Sequence, residues 1–371
     1  MKKISQLLVI ILLTIFLWPP LSRAETPNQS PAIFKAVVME ILQVEQKTRE
    51  DGSVFAQQNL KLLGLEGEWK NREVIYQGLD DVEVANIGLY KVGDRVFMDA
   101  YTDESGATIF YITDFVRSGQ LFLLFTLFIL TALLIGRYKG FKALISLAIS
   151  FVIIIKFILP QILNGRDPFL ISLVGGLVIL AVVIYLTEGV QKKSHLAVAS
   201  VLISLSITLI LSLIFTNLTK LSGLAQEEAA FLIGLGNTTI NFQGLLLAGF
   251  IIGAIGVLDD IIIGQIETVE QIKAANPSLP PKKIFTLAYK VGNTHLGAII
   301  NTLFLAYAGA ALPLLLLFIL NQESGLTFGR LVNTEIVSTE IVRTLVGGIG
   351  VMLSMPVATF LATVKLRKKS G

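Results

Sequence analysis

From Gly119 onward the sequence is a succession of apolar runs, 119–136, 143–163, 168–187, 196–215, 243–267, 293–319 and 339–362, each near the ~20 residues that cross a bilayer. Such runs cannot all hide in one aqueous core, so they predict a mainly α-helical membrane protein with seven transmembrane helices. The bulk composition agrees: 53% of the 371 residues are hydrophobic and 15% are charged, so the lipid bilayer is the expected surrounding. The net charge of +3 is small, and no basic patch with interleaved aromatics marks a nucleic-acid partner. The chain has no cysteine, which excludes disulfides, thiolate metal sites and thiol nucleophiles. Its two histidines, His195 and His295, cannot form a histidine-rich zinc cage, and no cofactor is expected.

The residues before the spans divide into two parts. Lys2 and Lys3 precede a short apolar run, Leu7 to Trp18, and Ser22-Arg23-Ala24 offers small residues at cleavage spacing. Residues 1–24 therefore read as a secretory signal peptide, the alternative being an uncleaved anchor that ends at Trp18-Pro19-Pro20. Over residues 31–117 apolar and polar residues alternate, as in Phe34–Ile41, Leu60–Leu65, Val74–Gln77, Arg95–Tyr101 and Thr108–Phe115, with turn signals such as Val92-Gly93-Asp94 between them. That pattern predicts a small extracytoplasmic β-domain of barrel-like, OB-like shape. Its carboxylates, among them Asp80, Asp81 and Glu83, read as a solvated face.

With this domain outside, the loops alternate, and the basic residues sort with them. Arg137, Lys139, Lys142, Lys192, Lys193, Lys273, Lys282, Lys283, Lys290, Lys365, Arg367, Lys368 and Lys369 fall inside, whereas only Arg166, Lys220 and Arg330 fall outside. The positive-inside rule then predicts a multi-pass protein of the cell membrane, with its N-terminal domain extracytoplasmic and its C-terminus cytoplasmic.

Polar groups inside hydrocarbon-length segments are expensive and so mark candidate functional positions. The adjacent carboxylates Asp259 and Asp260 head this group. An anionic pair opposes the dipole at a helix C-terminus, and the apolar stripe continues past it through Ile261–Ile263, Ile266, Val269 and Ile272, with Asp260, Gly264, Glu267 and Gln271 on the opposite face. The helix is thus expected to run to about Ala275 and to stop before Asn276-Pro277 and Pro280-Pro281. Two neighbouring carboxylates in hydrocarbon cannot both ionise cheaply and titrate as a coupled unit, which is the chemistry of a proton relay; the alternative is a solvated pair at the membrane boundary.

Supporting candidates are Glu267, Asn293, His295, Asn301, Lys156, Glu340 and Arg343. Lys156 either snorkels to the surface or partners a buried carboxylate. Asn293, His295 and Asn301 do not share one clean helix face, and Pro313 should kink their helix. Glu340 and Arg343, three residues apart, are placed to pair, with Glu335 a turn before. Gly175-Gly176 predicts close helix contact, and Leu221–Gly236 an interfacial or re-entrant helix.

The run Gly253-Ala-Ile-Gly-Val-Leu-Asp-Asp260, then Ala274-Ala-Asn-Pro277, His295, Asn301-Thr-Leu303, Leu305–Leu316 and Glu340–Gly350, resembles the YibE/F family of bacterial multi-pass membrane proteins. The resemblance covers about residues 30–365 and implies no particular activity. The last three spans are also similar to half of an RND permease, including SecD/SecF-type export factors; that resemblance implies a proton-carrying role for Asp259 and Asp260. This chain has about two more spans than one RND half and only a small external domain.

The leading expectation is a proton-coupled transporter or permease of an unknown small solute, with Asp259 and Asp260 as the relay. The alternative is a non-transport membrane partner, assisting export through its external β-domain. A homo-oligomer or a related membrane subunit is a further expected partner. No catalytic motif is present: there is no HExxH and no placeable Ser/Lys dyad, and the adjacent aspartates do not fit a two-helix aspartyl protease.

Overall fold

A computed structural model describes residues 32–48, 54–79, 89–102, 108–225, 227–234, 240–320 and 327–365. The proposed signal peptide and the carboxylates Asp80, Asp81 and Glu83 lie outside these residues. The chain forms two compact units, one reaching to Thr131 and one carrying the helices from Ala132 onward.

The first unit is an antiparallel sheet of β1 (Ala32–Thr48), β2 (Val54–Gly64), β3 (Glu73–Gln77), β4 (Arg95–Thr102) and β5 (Thr108–Phe115), in the order β3-β2-β1-β4-β5. Alternation in the sequence becomes a buried face, because successive strand side chains point to opposite sides. Phe34, Ala36 and Val38 of β1, Leu60 and Leu62 of β2, and Val96 and Met98 of β4 are all within 1% of complete burial. The length of β1 lets it pair with β4 through Ala32–Val37 and with β2 through Ala36–Thr48, and register shifts near Met39 and Leu42 bend it between the two. Phe34, Trp69 and Phe110 close one end of this core with ring centroids 4.8–6.2 Å apart. The expected turn at Val92-Gly93-Asp94 is present, with Gly93 at φ +95 and Asp94 accepting from the Lys91 amide at 2.8 Å. The edge strands β3 and β5 touch each other, but the ladders among the described residues show a curled sheet and not a closed barrel.

Helices follow: α1 (Ser118–Ile153), α2 (Leu159–Leu163), α3 (Pro168–Glu188), α4 (Lys192–Leu218), α5 (Glu227–Gly234), α6 (Phe242–Ala275), α7 (Pro281–Ala310), α8 (Leu312–Leu320), α9 (Phe328–Val332) and α10 (Glu335–Lys365). Among the described residues five elements are long and apolar enough to cross a membrane: Ser118–Leu163, α3, α4, α6 and α10.

The seven expected spans map onto fewer elements for two local reasons. Runs 119–136 and 143–163 share one element, in which Arg137 leaves helical geometry at φ 47 and ψ −126. There the chain bends sharply: a Cβ on Gly140 would strike the Ala132 carbonyl, eight residues back, where a straight helix would put the two about 12 Å apart. Run 293–319 is split between α7 and α8 at Ala311, two residues before Pro313, which sits in the first turn of α8, where its missing N–H costs least. The helix expected over Leu221–Gly236 is shorter than predicted. Lys220 and Gly223 have φ of 53 and 80, and the Ser222 and Gly223 amides donate to the Glu335 carboxylate, so helix begins only at Glu227.

α6 is the hub of the helical unit and packs against α3, α4, α7 and α10. Its Ile251, Leu258, Ile262 and Val269 share one core with Val201 and Leu205 of α4, Ala288 of α7 and Ala358 and Ala362 of α10. In lipid, helices associate through close van der Waals packing, because there is no water to release, and small residues permit the approach. Gly176 lies against Ile251 and Ile255, and Gly175 against Ile158. On α4 a buried stripe at every fourth residue, Ser200, Ser204, Thr208, Ser212 and Thr216, supports the tight α4–α10 contact. At its middle, Gly350 of α10 meets Thr208.

Candidate functional site

α6 starts cleanly because the Asn241 side chain accepts from the Gly244 amide at 3.0 Å, and it continues unbroken through Asp259 and Asp260 to Ala275. Consecutive helix residues are turned about 100° apart, so the two carboxylates leave α6 in different directions. Asp259 shares a face with Ile263, Ile266 and Glu270, which is the side toward α4; it is half-buried, and its Oδ1 is enclosed with no hydrogen-bond partner. Asp260 faces α7 instead.

A cavity of 320 Å³ opens there between α6, α7 and α10. Asp260, Gly264, Gln265 and Thr268 come from α6, Gly292, His295, Leu296 and Ile299 from α7, and Met355 from α10. Among the described residues Asp260 has neither ion pair nor hydrogen bond. Gln265 is buried and holds the cavity together, its Nε2 donating to the Ala288 carbonyl at 2.8 Å. Gly292 is tight for the same reason, since a Cβ there would meet Gln265 Oε1 at 2.5 Å and Met355 Cγ at 2.9 Å.

The same three helices enclose a second, water-sized space of 20 Å³ nearer the N-terminal end of α6, flanked by Thr208 and Ser212 of α4. Gly249, Gly253, Leu303, Tyr307 and Arg343 line it. Arg343 pairs with Glu340 at 2.9 Å and lies 5.3 Å above the Phe250 ring, while its Nε is enclosed without a partner. Apolar side chains one turn deep, Leu258 and Ile261 on α6, Leu303 and Ile299 on α7, and Val351 and Met355 on α10, separate the two spaces.

The remaining candidates are placed elsewhere. Glu267 belongs to an ion cluster on the α4 side: Lys193 reaches Glu267 at 2.9 Å, Glu270 at 3.5 Å and Glu188 at 3.6 Å, and Lys139 approaches Glu188 at 3.8 Å. Gln271 also donates to Glu267, at 2.7 Å. Asn293 and Asn301 are exposed on α7 and make no side-chain hydrogen bond among the described residues. Lys156 is exposed on the π-helical turn Ile154–Ile158 and has no carboxylate partner among the described residues.

Three participants escaped the sequence reading. Gln265 sits five residues after Asp260 on the same apolar helix, a spacing that could have drawn notice. Lys193 looked like an ordinary boundary charge, and its carboxylates are distant in sequence. The Ser/Thr stripe on α4 is visible only at a spacing of four. A carboxylate and an imidazole thus line one cavity, two groups of the kind that accept and release protons. Among the described residues no three His, Cys, Asp or Glu side chains cluster to hold a metal ion.

No curated protein and no solved structure matches this chain. A family model described as YibE/F-like protein matches residues 124–368, most of the chain and all of the helices that build the cavity, and the protein belongs to that family.

Proposed function

We propose that this YibE/F-family protein is a proton-coupled permease of the cell membrane, its sheet unit extracytoplasmic and its C-terminus cytoplasmic, with Asp260 and Asp259 as the proton carriers. The observation that carries the reading is the cavity between α6, α7 and α10, where an unpaired carboxylate and His295 meet a wall of small and apolar residues. The second space along the same three helices, one apolar turn away, supplies the other end of a path that a small shift of α7 or α10 would join. The enclosed, unpartnered Oδ1 of Asp259 supports a second proton position across α6. Solute binding and proton transfer suffice for this reading, which includes no enzymatic step. The helix order similar to an RND half is compatible with it; fold-level analogy supplies no more than that.

Reconstitution in vesicles tests the reading. Proton flux driven by a pH gradient, in the presence of candidate solutes, should fall in Asp260→Asn and in Asp259→Asn. Indistinguishable flux in wild type and both variants would sink it.

A second reading, a membrane partner acting through the sheet unit, draws on the large apolar side chains that unit leaves exposed, among them Ile33, Val54 and Ile75 at 56–65%. Deleting residues 31–117 should then abolish capture of envelope proteins by crosslinking, and unchanged capture would dismiss it.

A further inference from the structure

We propose that the cavity between α6, α7 and α10 binds a small organic cation, an ammonium group on an apolar body, with Asp260 as its counter-ion. The inference rests on the permease reading of this site and names the class of solute.

Charge selects the sign. Among the described residues Asp260 is the one carboxylate or basic side chain on the cavity wall apart from the imidazole of His295. Farther along the three helices Arg343 is already matched by Glu340 at 2.9 Å, so it offers no net positive charge to an anion. Asp259 leaves α6 about 100° away from Asp260, and Lys193 is taken up by Glu188, Glu267 and Glu270 beside α4. One uncompensated carboxylate on a wall of mostly small and apolar side chains favours a monocation through charge-assisted hydrogen bonds and repels an anion.

The ligand set selects an organic cation over a bare metal ion. Hard divalent ions take about six or more oxygen ligands. The side chains of this cavity offer fewer oxygens than that, the Asp260 carboxylate with Gln265 Oε1 and Thr268 Oγ1, beside the His295 imidazole; the Thr268 hydroxyl proton and the Gln265 Nε2 are already donated to the Gly264 and Ala288 carbonyls at 2.8 Å. The rest of the wall, Ile261, Leu296, Ile299 and Met355, is apolar and suits a hydrocarbon body, with the methionine able to adapt to its shape. A volume of 320 Å³ lies at the small end of the range, about 300–1,000 Å³, in which small-molecule sites fall. The space above Gly264 is part of it, since a Cβ there would meet nothing within 4 Å.

A series with one body and three charges tests the idea on the purified full chain: phenethylammonium, phenethyl alcohol and phenylacetate, with binding followed by calorimetry. Phenethylammonium alone should bind. Asp260→Asn should weaken it by about 10- to 100-fold, the loss of one charged hydrogen bond, whereas Asp260→Glu should retain it. Gly264→Leu, which fills the cavity and leaves the charge in place, should abolish binding while eluting and melting as a folded protein. Equal binding of the three probes, preference for phenylacetate, or ammonium binding that survives Asp260→Asn would each overturn the inference. Vesicle proton flux separates it from its parent reading. Flux that needs the aspartates without ammonium binding leaves the relay standing and removes the cation site. Ammonium binding that needs Asp260, with flux indifferent to both aspartates, keeps the site and removes the relay.

Discussion

The contact between Gly350 and Thr208 gives a test of how the helical unit is held together. A methyl group at position 350 would overlap Thr208 Oγ1 and lie 3.2 Å from both Cβ and Cγ2 of that residue. Threonine is stiff at χ1, and its Oγ1 is committed to the Ser204 carbonyl at 2.9 Å, so the side chain cannot simply turn aside. Overpacking of this kind costs about 1–3 kcal/mol. Replacing a helical glycine by alanine returns up to ~1 kcal/mol of helix propensity. Gly350→Ala should therefore destabilise the helical unit by about 1–2 kcal/mol, roughly 2–8 °C in melting temperature for a domain of this size. Thr208→Ala removes Oγ1 and Cγ2 and should recover most of that loss in the double variant, giving a coupling energy of about 1 kcal/mol. The assay is loss of helical circular dichroism in detergent, in a four-member cycle. Gly350→Ala as stable as wild type, or no recovery on adding Thr208→Ala, would refute the account of α4–α10 packing.

Two further outcomes follow from charge. Lys193→Met removes the cation shared by Glu188, Glu267 and Glu270 and should lower helical stability by about 1–2 kcal/mol, between the values for surface and buried pairs, whereas Lys193→Arg should not; equal melting of wild type and Lys193→Met would remove the cluster from the stability argument. In the sheet unit, the Arg117 guanidinium, helped by the Phe115 amide, holds the Asp114 carboxyl below the usual carboxylate range. A lowered carboxyl stabilises the fold above the ordinary range and loses that contribution as pH falls through its lowered value, so Arg117→Ala should move the acid transition, followed by Trp69 fluorescence, to higher pH. An unmoved transition would show that the pair does not contribute.

Much of the fold was legible locally. The alternation around Phe34, Leu60 and Met98 marked strands because their period is that of a pleated sheet, and the apolar stripe beyond Asp260 placed the end of α6 near Ala275 through periodicity and the proline breakers. The bend at Arg137 falls where Arg137, Lys139 and Lys142 separate the expected spans 119–136 and 143–163, and the break at Ala311 lies beside Pro313, whose ring predicts a kink there. At the candidate site the sequence marked Asp260 and His295 separately. It treated Asp259 and Asp260 as one unit, whereas α6 turns them toward different neighbours.

By itself, then, the sequence determined that this chain is a membrane protein of helices behind a small sheet unit, and that polar groups interrupt its lipid-length segments, since composition and period are local properties. Only the tertiary structure decided which of those groups share a space. The shared cavity of Asp260 and His295, the bond from Gln265 to Ala288, the approach of Glu267 and Glu270 to Lys193 and the seat of Gly350 on Thr208 all depend on helix packing between residues from 23 to 142 positions apart in the chain. No local pattern encodes such distances; they follow from which small residues let two helices come close.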